Sequence, residues 1–148
     1  MTETPDTVLG LGLMAAPIDP GGLGVDLVLT PGPDGARLAT VAGPDNLAQC
    51  LRTALTTALG EDCFSTTFGF DGLRALTQAV PSSQLADLLD LAVRRALAAD
   101  ARVAQVLDVV VDRGADSGDP RVWTVQATVQ TVAGTVSQLS DGRVAHDG

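Results

Sequence analysis

Hydrophobic and polar positions alternate most regularly in the last third of the chain. Across residues 121–133, Val122 is followed by Trp123, Val125, Ala127 and Val129 on one parity, with Thr124, Gln126, Thr128 and Gln130 on the other. A period of two marks a half-buried strand. Residues 102–113 supply a partner strand, and the polar stretch 114–119 between them predicts the turn of a wide hairpin. Residues 136–148 show no period and read as a polar tail, so the second strand is expected to keep an open outer edge. That strand holds no Lys or Pro, and an edge of this kind offers a row of backbone donors and acceptors to another chain.

Upstream the period changes to that of helices. Over residues 83–100, Leu85, Leu88, Leu89, Ala92, Val93, Ala96 and Leu97 share one face. Ser82 or Ser83 is the expected cap, and Asp87 and Asp90 early with Arg94 and Arg95 late match the helix dipole. A second helix runs from a cap at Asp45 to a stop at Gly60, with Leu47, Cys50, Leu51, Ala54, Leu55 and Ala58 on its apolar stripe. Residues 61–73 have the weakest period and read as an irregular loop with Phe64, Phe68 and Phe70, followed by a short helix that stops before Pro81. Before the helices, residues 25–30 and 36–41 form a small hairpin about the turn Pro31-Gly32-Pro33-Asp34-Gly35. Residues 8–22 make an N-terminal arm whose apolar part carries Leu9, Leu11, Leu13 and Met14 and ends in the turn Asp19-Pro20-Gly21-Gly22. The sequence leaves two readings open, an arm that folds back and one that reaches into a neighbour; because an exposed apolar arm is a liability in a monomer, the second is favoured.

The pattern predicts an α+β domain, with a small mixed or antiparallel sheet, two main helices packed on it and a C-terminal β-hairpin with an open edge. The domain covers residues 8–135, with a frayed start over 1–7 and the tail over 136–148.

Composition narrows the function. Eighteen acidic residues face nine basic ones, all Arg, for a net charge of −9. No basic face is available for phosphates, which argues against DNA or RNA as a partner, and the scarce aromatics remove a base-stacking platform. A hydrophobic fraction of 45% rules out a mainly disordered chain. The apolar arm is too short to cross a bilayer and follows Glu3 and Asp6 rather than basic residues, so neither a membrane span nor a secretory signal is expected and the chain reads as cytoplasmic. Cys50 and Cys63 lack a nearby His partner and read as small buried hydrophobes without a disulfide, metal or cofactor.

Catalytic chemistry has little to build on. His146, the one histidine, lies two residues from the end and cannot anchor a triad, and Gly10-Leu11-Gly12 lacks the third glycine of a dinucleotide fingerprint. Two carboxylates alone can hydrolyse a glycoside, and Glu61 with Asp62 or Asp71 lies among the phenylalanines. The commoner role for such groups is a helix-end carboxylate bonded to backbone or to an Arg. The expectation is therefore a protein that is not an enzyme.

Taken in order, Leu9-Gly10-Leu11-Gly12 with Ala16-Pro17, Pro44-Asp45-Asn46-Leu47-Ala48-Gln49, Thr57-Ala58-Leu59-Gly60-Glu61, Phe68-Gly69-Phe70-Asp71-Gly72-Leu73 and Leu97-Ala98-Ala99-Asp100-Ala101-Arg102-Val103 resemble a known family. It is the baseplate wedge or sheath-initiator family of contractile phage tails, type VI secretion systems and related injection particles, also called gene 25-like lysozymes. The resemblance spans roughly residues 8–135. It implies a structural protein, present in multiple copies in a six-fold baseplate, that starts sheath polymerisation by pairing strands with the sheath protein. The strand interface would be residues 122–130. Glu61, Phe68, Gly69, Phe70 and Leu73 would contact other wedge proteins, with tube or hub proteins as further partners. The chain departs from the family in lacking the Pro and Arg usual before the aromatic-Gly turn, since Asp62-Cys63-Phe64-Ser65-Thr66-Thr67 stands there. The alternative that the family's second label suggests is a peptidoglycan glycoside hydrolase using Glu61 and Asp71; a third reading is a soluble adaptor.

Overall fold

The computed structural model describes residues 4–18, 24–76, 81–113 and 122–145. The chain divides into two units, Met1–Gln49 and Cys50–Gly148, and the division falls inside a helix.

The first unit opens with helix α1 (Pro5–Leu9), so the expected frayed start is already helical at Pro5. Pro sits at the first helical position, where its missing N–H costs nothing and its fixed φ favours the turn. Leu9 is fully buried, and its carbonyl accepts a bond from the Asn46 side-chain amide at 3.1 Å. From there the arm folds back within this unit, the less favoured of the two readings left open by the sequence. β1 (Leu11–Leu13) pairs antiparallel with β6 (Thr40–Ala42), β2 (Ala15–Pro17) with β3 (Val25–Leu27), and β4 (Leu29–Gly32) with β5 (Gly35–Leu38). The expected small hairpin is the third of these ribbons, closed by Pro33-Asp34. The turn expected at residues 19–22 lies outside the described residues apart from its approach at Ile18.

Three ribbons meet at Met14, Val28 and Ala39. Met14 N–H donates to Ala39 C=O at 2.9 Å, Ala39 N–H to Val28 C=O at 2.7 Å, and Val28 N–H to Met14 C=O at 3.0 Å. This closed ring of bonds satisfies the backbone groups where the ribbons diverge. The side chain of Gln49 fixes one strand to the following helix, donating to Leu13 C=O at 2.7 Å and accepting from Ala15 N–H at 2.9 Å. Gly12 is required at this point, because a Cβ would collide with Asn46 Oδ1.

Helix α2 (Gly43–Thr56) starts earlier than a cap at Asp45 allows, so Asp45 lies in its first turn and serves the helix dipole rather than capping. It also stops earlier. The hydroxyls of Thr56 and Thr57 donate back to the carbonyls of Arg52 and Thr53 at 3.0 and 2.8 Å, a competition that weakens helix ends. Leu47, Leu51, Ala54 and Leu55 are buried as expected, while Ala58 leaves the helix and bridges Phe70 in parallel.

In the second unit α3 (Gly72–Leu76) precedes α4 (Ser82–Ala98). Pro81, not Ser82 or Ser83, is the N-cap of α4, with φ −56° and no side-chain cap bond. Leu89, Ala92, Val93 and Leu97 form the buried face, but Leu88 is 42% exposed, so the core-facing stripe is narrower than the sequence implied. α4 packs against β7 (Val103–Arg113), the first strand of an antiparallel sheet completed by β8 (Val122–Thr131) and β9 (Val136–Ala145), in the order β7-β8-β9. The α+β class is as expected; the C-terminal hairpin with its tail is instead a three-stranded sheet. The turn expected at 114–119 lies outside the described residues.

The tight connection from α4 to β7 is fixed by one ion pair. Asp100 Oδ1 accepts from Arg102 N–H and Nε–H, each at 2.9 Å, and Asp100 Oδ2 accepts from Nη2 at 2.6 Å. The Arg102 side-chain bond holds the Asp100 carboxyl below its ordinary range, against the opposing effect of burial. Asp100 in turn raises the Arg102 guanidinium, with a smaller contribution in the same direction from Cys50.

Two outcomes follow for this unit. Leu97→Ala, at a fully buried position, should cost about 2–5 kcal/mol in urea unfolding, whereas Leu91→Ala, at a 45% exposed one, should cost well under that. Because Asp100 has a lowered folded pKa, its contribution is complete above the ordinary carboxylate value of about 3.9 and is lost as pH falls below it toward the folded value. The stability gap between wild type and Asp100→Asn should therefore narrow as pH is lowered through that window; a gap independent of pH would contradict the assignment.

Candidate assembly interface

The expected interface strand is the centre of its sheet. β8 is paired on one side by β7, from Val103 opposite Thr131 to Arg113 opposite Trp123, and on the other by β9, from Gln130 opposite Val136 to Val122 opposite Ala145. Both backbone edges of residues 122–130 are thus occupied by this chain, which corrects the open edge expected on β8. Among the described residues, the outer edges of the sheet belong to β7 and β9.

The error has a physical cause in β9. Ser137 and Leu139 lie opposite Val129 and Ala127 and are buried, but Gly142 and Val144 lie opposite Val125 and Trp123. A register shift between them, at Ser140 and Asp141, moves the positions opposite the buried parity of β8 from odd to even numbers and erases the period of two. Asp141-Gly142 also resembles a turn. One signal was available: Val132-Ala133-Gly134 closes a tight hairpin, with Gly134 at φ +79°, Gly134 N–H bonded to Thr131 C=O at 3.0 Å, and Thr131 N–H bonded to Thr135 C=O at 2.8 Å. The hydroxyls of Thr131 and Thr135 bond each other at 2.8 Å.

The alternation within β8 does produce two faces. Trp123, Val125, Ala127 and Val129 are buried, opposite Arg113, Val111, Val109 and Val106 of β7. On the other parity Gln126 is exposed and Thr128 and Gln130 are half-buried, opposite Val110, Asp108 and Gln105. Thr124 breaks the expectation by being buried, and its hydroxyl lies 3.4 Å from Asp112 C=O. At one end Arg113 lies over the Trp123 ring, 5.8 Å from its centroid, a favourable cation–π arrangement. Along the outer strand β7, register shifts occur near Ala104 and Leu107, after which residues 108–113 pair without interruption. Bulges and inward charges protect sheet edges; the regular stretch beyond them is the part of β7 best shaped for a further strand.

The expected wedge loop separates into packing and display. Phe70 is buried to 1% exposure and belongs to the core, which removes it from the contact surface. Its placement depends on two glycines: a Cβ on Gly69, at φ +114°, would lie 2.7 Å from Thr57 O and 2.8 Å from Ala58 O, and a Cβ on Gly72 would strike the Phe70 ring. Phe70 N–H bonds Thr57 C=O at 2.8 Å, and Leu59 N–H bonds Phe70 C=O at 3.1 Å. Phe68 and Gly69 are half-buried, Glu61 is exposed, and Leu73 falls in α3. The residue most available for contact was missed: Phe64 is 97% exposed at the loop tip. Its N–H donates to Asp62 Oδ1 at 2.8 Å and Ser65 N–H to Asp62 C=O at 3.2 Å, so the tip is an ordered turn.

The carboxylates also have local tasks. Asp62 accepts from the loop backbone as just described, and Asp71 Oδ2 lies 3.9 Å from Arg95 Nη1. Cys63 is exposed and Cys50 half-buried, neither in a disulfide, so the expectation of two buried thiols is not met: it fails at Cys63 and is only partly met at Cys50. His146 lies outside the described residues. In the N-terminal arm only Leu9 is buried; Leu11, Leu13 and Met14 are 70%, 45% and 40% exposed although their backbones are paired. Among the described residues no group of three or more His, Cys, Asp or Glu is placed to hold a metal ion, and no helix is long and apolar enough to cross a membrane.

No family model matches the sequence, and no curated protein matches it. Among solved structures, the fold is similar to that of a protein from Geobacter sulfurreducens described as a "putative tail lysozyme", with a TM-score of 0.59 and 19% sequence identity. The similarity covers 70% of this chain and 91% of that one. At this identity it shows a shared fold: the α+β arrangement described above is also the fold of a protein named for a tail.

Proposed function

We propose that this protein is a non-enzymatic structural component of a contractile phage tail or a related contractile injection particle. In this reading it serves as the baseplate wedge subunit that starts sheath polymerisation. The observation that carries the proposal is the fold similarity covering 91% of the chain described as a "putative tail lysozyme", supported by a sheet whose two outer strands are unpaired on one side among the described residues. Strand addition from the sheath protein would use β7 or β9 rather than β8. Each added backbone hydrogen bond contributes about 0.5–1.5 kcal/mol net, so a few strands per subunit, repeated round a six-fold ring, would hold a contracting sheath. Phe64 and Glu61 would face a neighbouring wedge protein, and tube or hub proteins would complete the contacts. Incorporation into such a particle from the cytoplasm is part of the same proposal.

Neighbouring positions on β7 provide the test. In an antiparallel edge strand successive N–H groups point alternately toward the paired strand and outward, and Pro is tolerated only where the N–H faces out. Of Val110→Pro and Val111→Pro, one should lose stability and the other should remain folded but fail to start sheaths in a reconstituted assembly. If the folded variant yields sheaths of normal number and length, pairing at β7 is wrong, and the same pair of substitutions at Gln138 and Leu139 tests β9.

The name of the structural neighbour favours one second reading, hydrolysis of peptidoglycan with Glu61 and Asp71 as the carboxylates. Glu61 is exposed and Asp71 lies in an exposed pair with Arg95, an arrangement that fits surface roles better than a desolvated acid. Purified protein should release no soluble fragments from peptidoglycan above a blank, and Glu61→Gln should change nothing. Turnover that disappears in Glu61→Gln would establish the enzyme.

A further inference from the structure

The first unit displays apolar side chains that its own described residues leave uncovered. Register places Leu11 and Leu13 on one face of the first ribbon and Val25 and Leu27 on one face of the second, while Leu29 and Leu38 lie directly opposite each other on the third. Their exposures run from 43% for Leu38 to 70% for Leu11. Counting alternate residues through the junction at Met14, Val28 and Ala39 keeps all six on the same parity. The opposite parity holds the charges of the strands, Asp26 and Arg37, and its Gly12, Val28, Ala39 and Val41 are half-buried.

Contiguous exposed apolar faces mark interaction sites, and charge selects the occupant. Residues 1–49 contain six carboxylates and a single Arg. A second copy would bring like charge against like charge, as would an anionic lipid surface. A basic surface buries the leucines without that repulsion and is drawn to a unit in which carboxylates outnumber Arg six to one, although the strand charges themselves lie on the opposite parity.

From these observations we infer that the three-ribbon face of the first unit is a docking surface for another protein that presents an apolar ridge flanked by Lys or Arg. The inference rests on this unit alone and does not depend on the role proposed for the C-terminal sheet. The ring of backbone bonds at the centre holds the ribbons in fixed register, so the surface is formed before a partner arrives, and little ordering cost remains at binding.

Two synthetic amphipathic helices with the same apolar face, one Leu/Lys and one Leu/Glu, serve as probes against the full-length chain in fluorescence anisotropy at physiological salt. The Leu/Lys helix should bind at least about tenfold more tightly. The double variant Leu27→Ser, Leu29→Ser should lose about tenfold or more of that affinity, whereas Leu88→Ser, Leu91→Ser, which alters exposed leucines of α4, should retain it. Amide exchange of the wild-type complex supplies a readout independent of variant folding, with protection expected in residues 11–14, 25–29 and 38. Equal binding of the two helices, affinity unchanged in the first variant, or protection confined to the second unit would each overturn the inference. So would reversible dimerisation of the free chain that Leu27→Ser, Leu29→Ser abolishes, or preferential binding to phosphatidylglycerol vesicles that the same variant abolishes.

Discussion

The second unit depends on keeping the apolar parity of β8 out of water. Trp123, Val125, Ala127 and Val129 are each at most 5% exposed, and every fully buried side chain of this kind contributes about 1.5–3 kcal/mol. No two-stranded ribbon shields its central residues from both sides, and an isolated hairpin is marginal in water. A third strand and a helix are what make the burial possible. β9 therefore completes the unit's core first, and its effect on the outer edge follows from that. The position of the free edges, and with it any pairing with another chain, is set by the packing requirement.

Long elements with an uninterrupted period were legible from the sequence. The apolar stripe of α4 and the alternation of β8 each persist over enough residues to outweigh local exceptions, and β7 and β8 lie within a residue or two of their expected bounds. What could not be read was any element whose count slips. β9 shifts register at its bulge, so the residues opposite the buried parity of β8, Ser137, Leu139, Gly142 and Val144, never form a visible series. The first unit hides its topology for a different reason. Its strands are three or four residues long, and each continuous segment pairs with two different partners, a relation that no local period encodes. Helix ends erred where side-chain hydroxyls and Pro, rather than the dipole, decide them, as at Thr56 and Pro81.

Residues proposed for contact divided along the same line. In the loop before α3 the Phe-Gly-Phe-x-Gly pattern reads equally well as a display motif or as a packing device. The distinction lies in backbone approach: Gly69 lets two segments come close enough to bridge, and this drives Phe70 inward. Phe64, with no motif around it, is left outside. Aromatic anchors of this kind often dominate protein interfaces, and a sequence offers no means of telling an inward ring from an outward one in a segment without period.

The ring at Met14, Val28 and Ala39 has a consequence for how the first unit tolerates variation. Its three chain segments each run from one ribbon into the next, so sliding any pair by two residues would drag the other two pairs with it and break all three central bonds. The arrangement is a closed linkage in which the hub cannot be retuned by small steps. Insertions and deletions are absorbed at a tip such as Pro33-Asp34, where extra residues leave the hub untouched. Ribbon length is therefore free to vary at such a tip while the geometry at the centre stays constant.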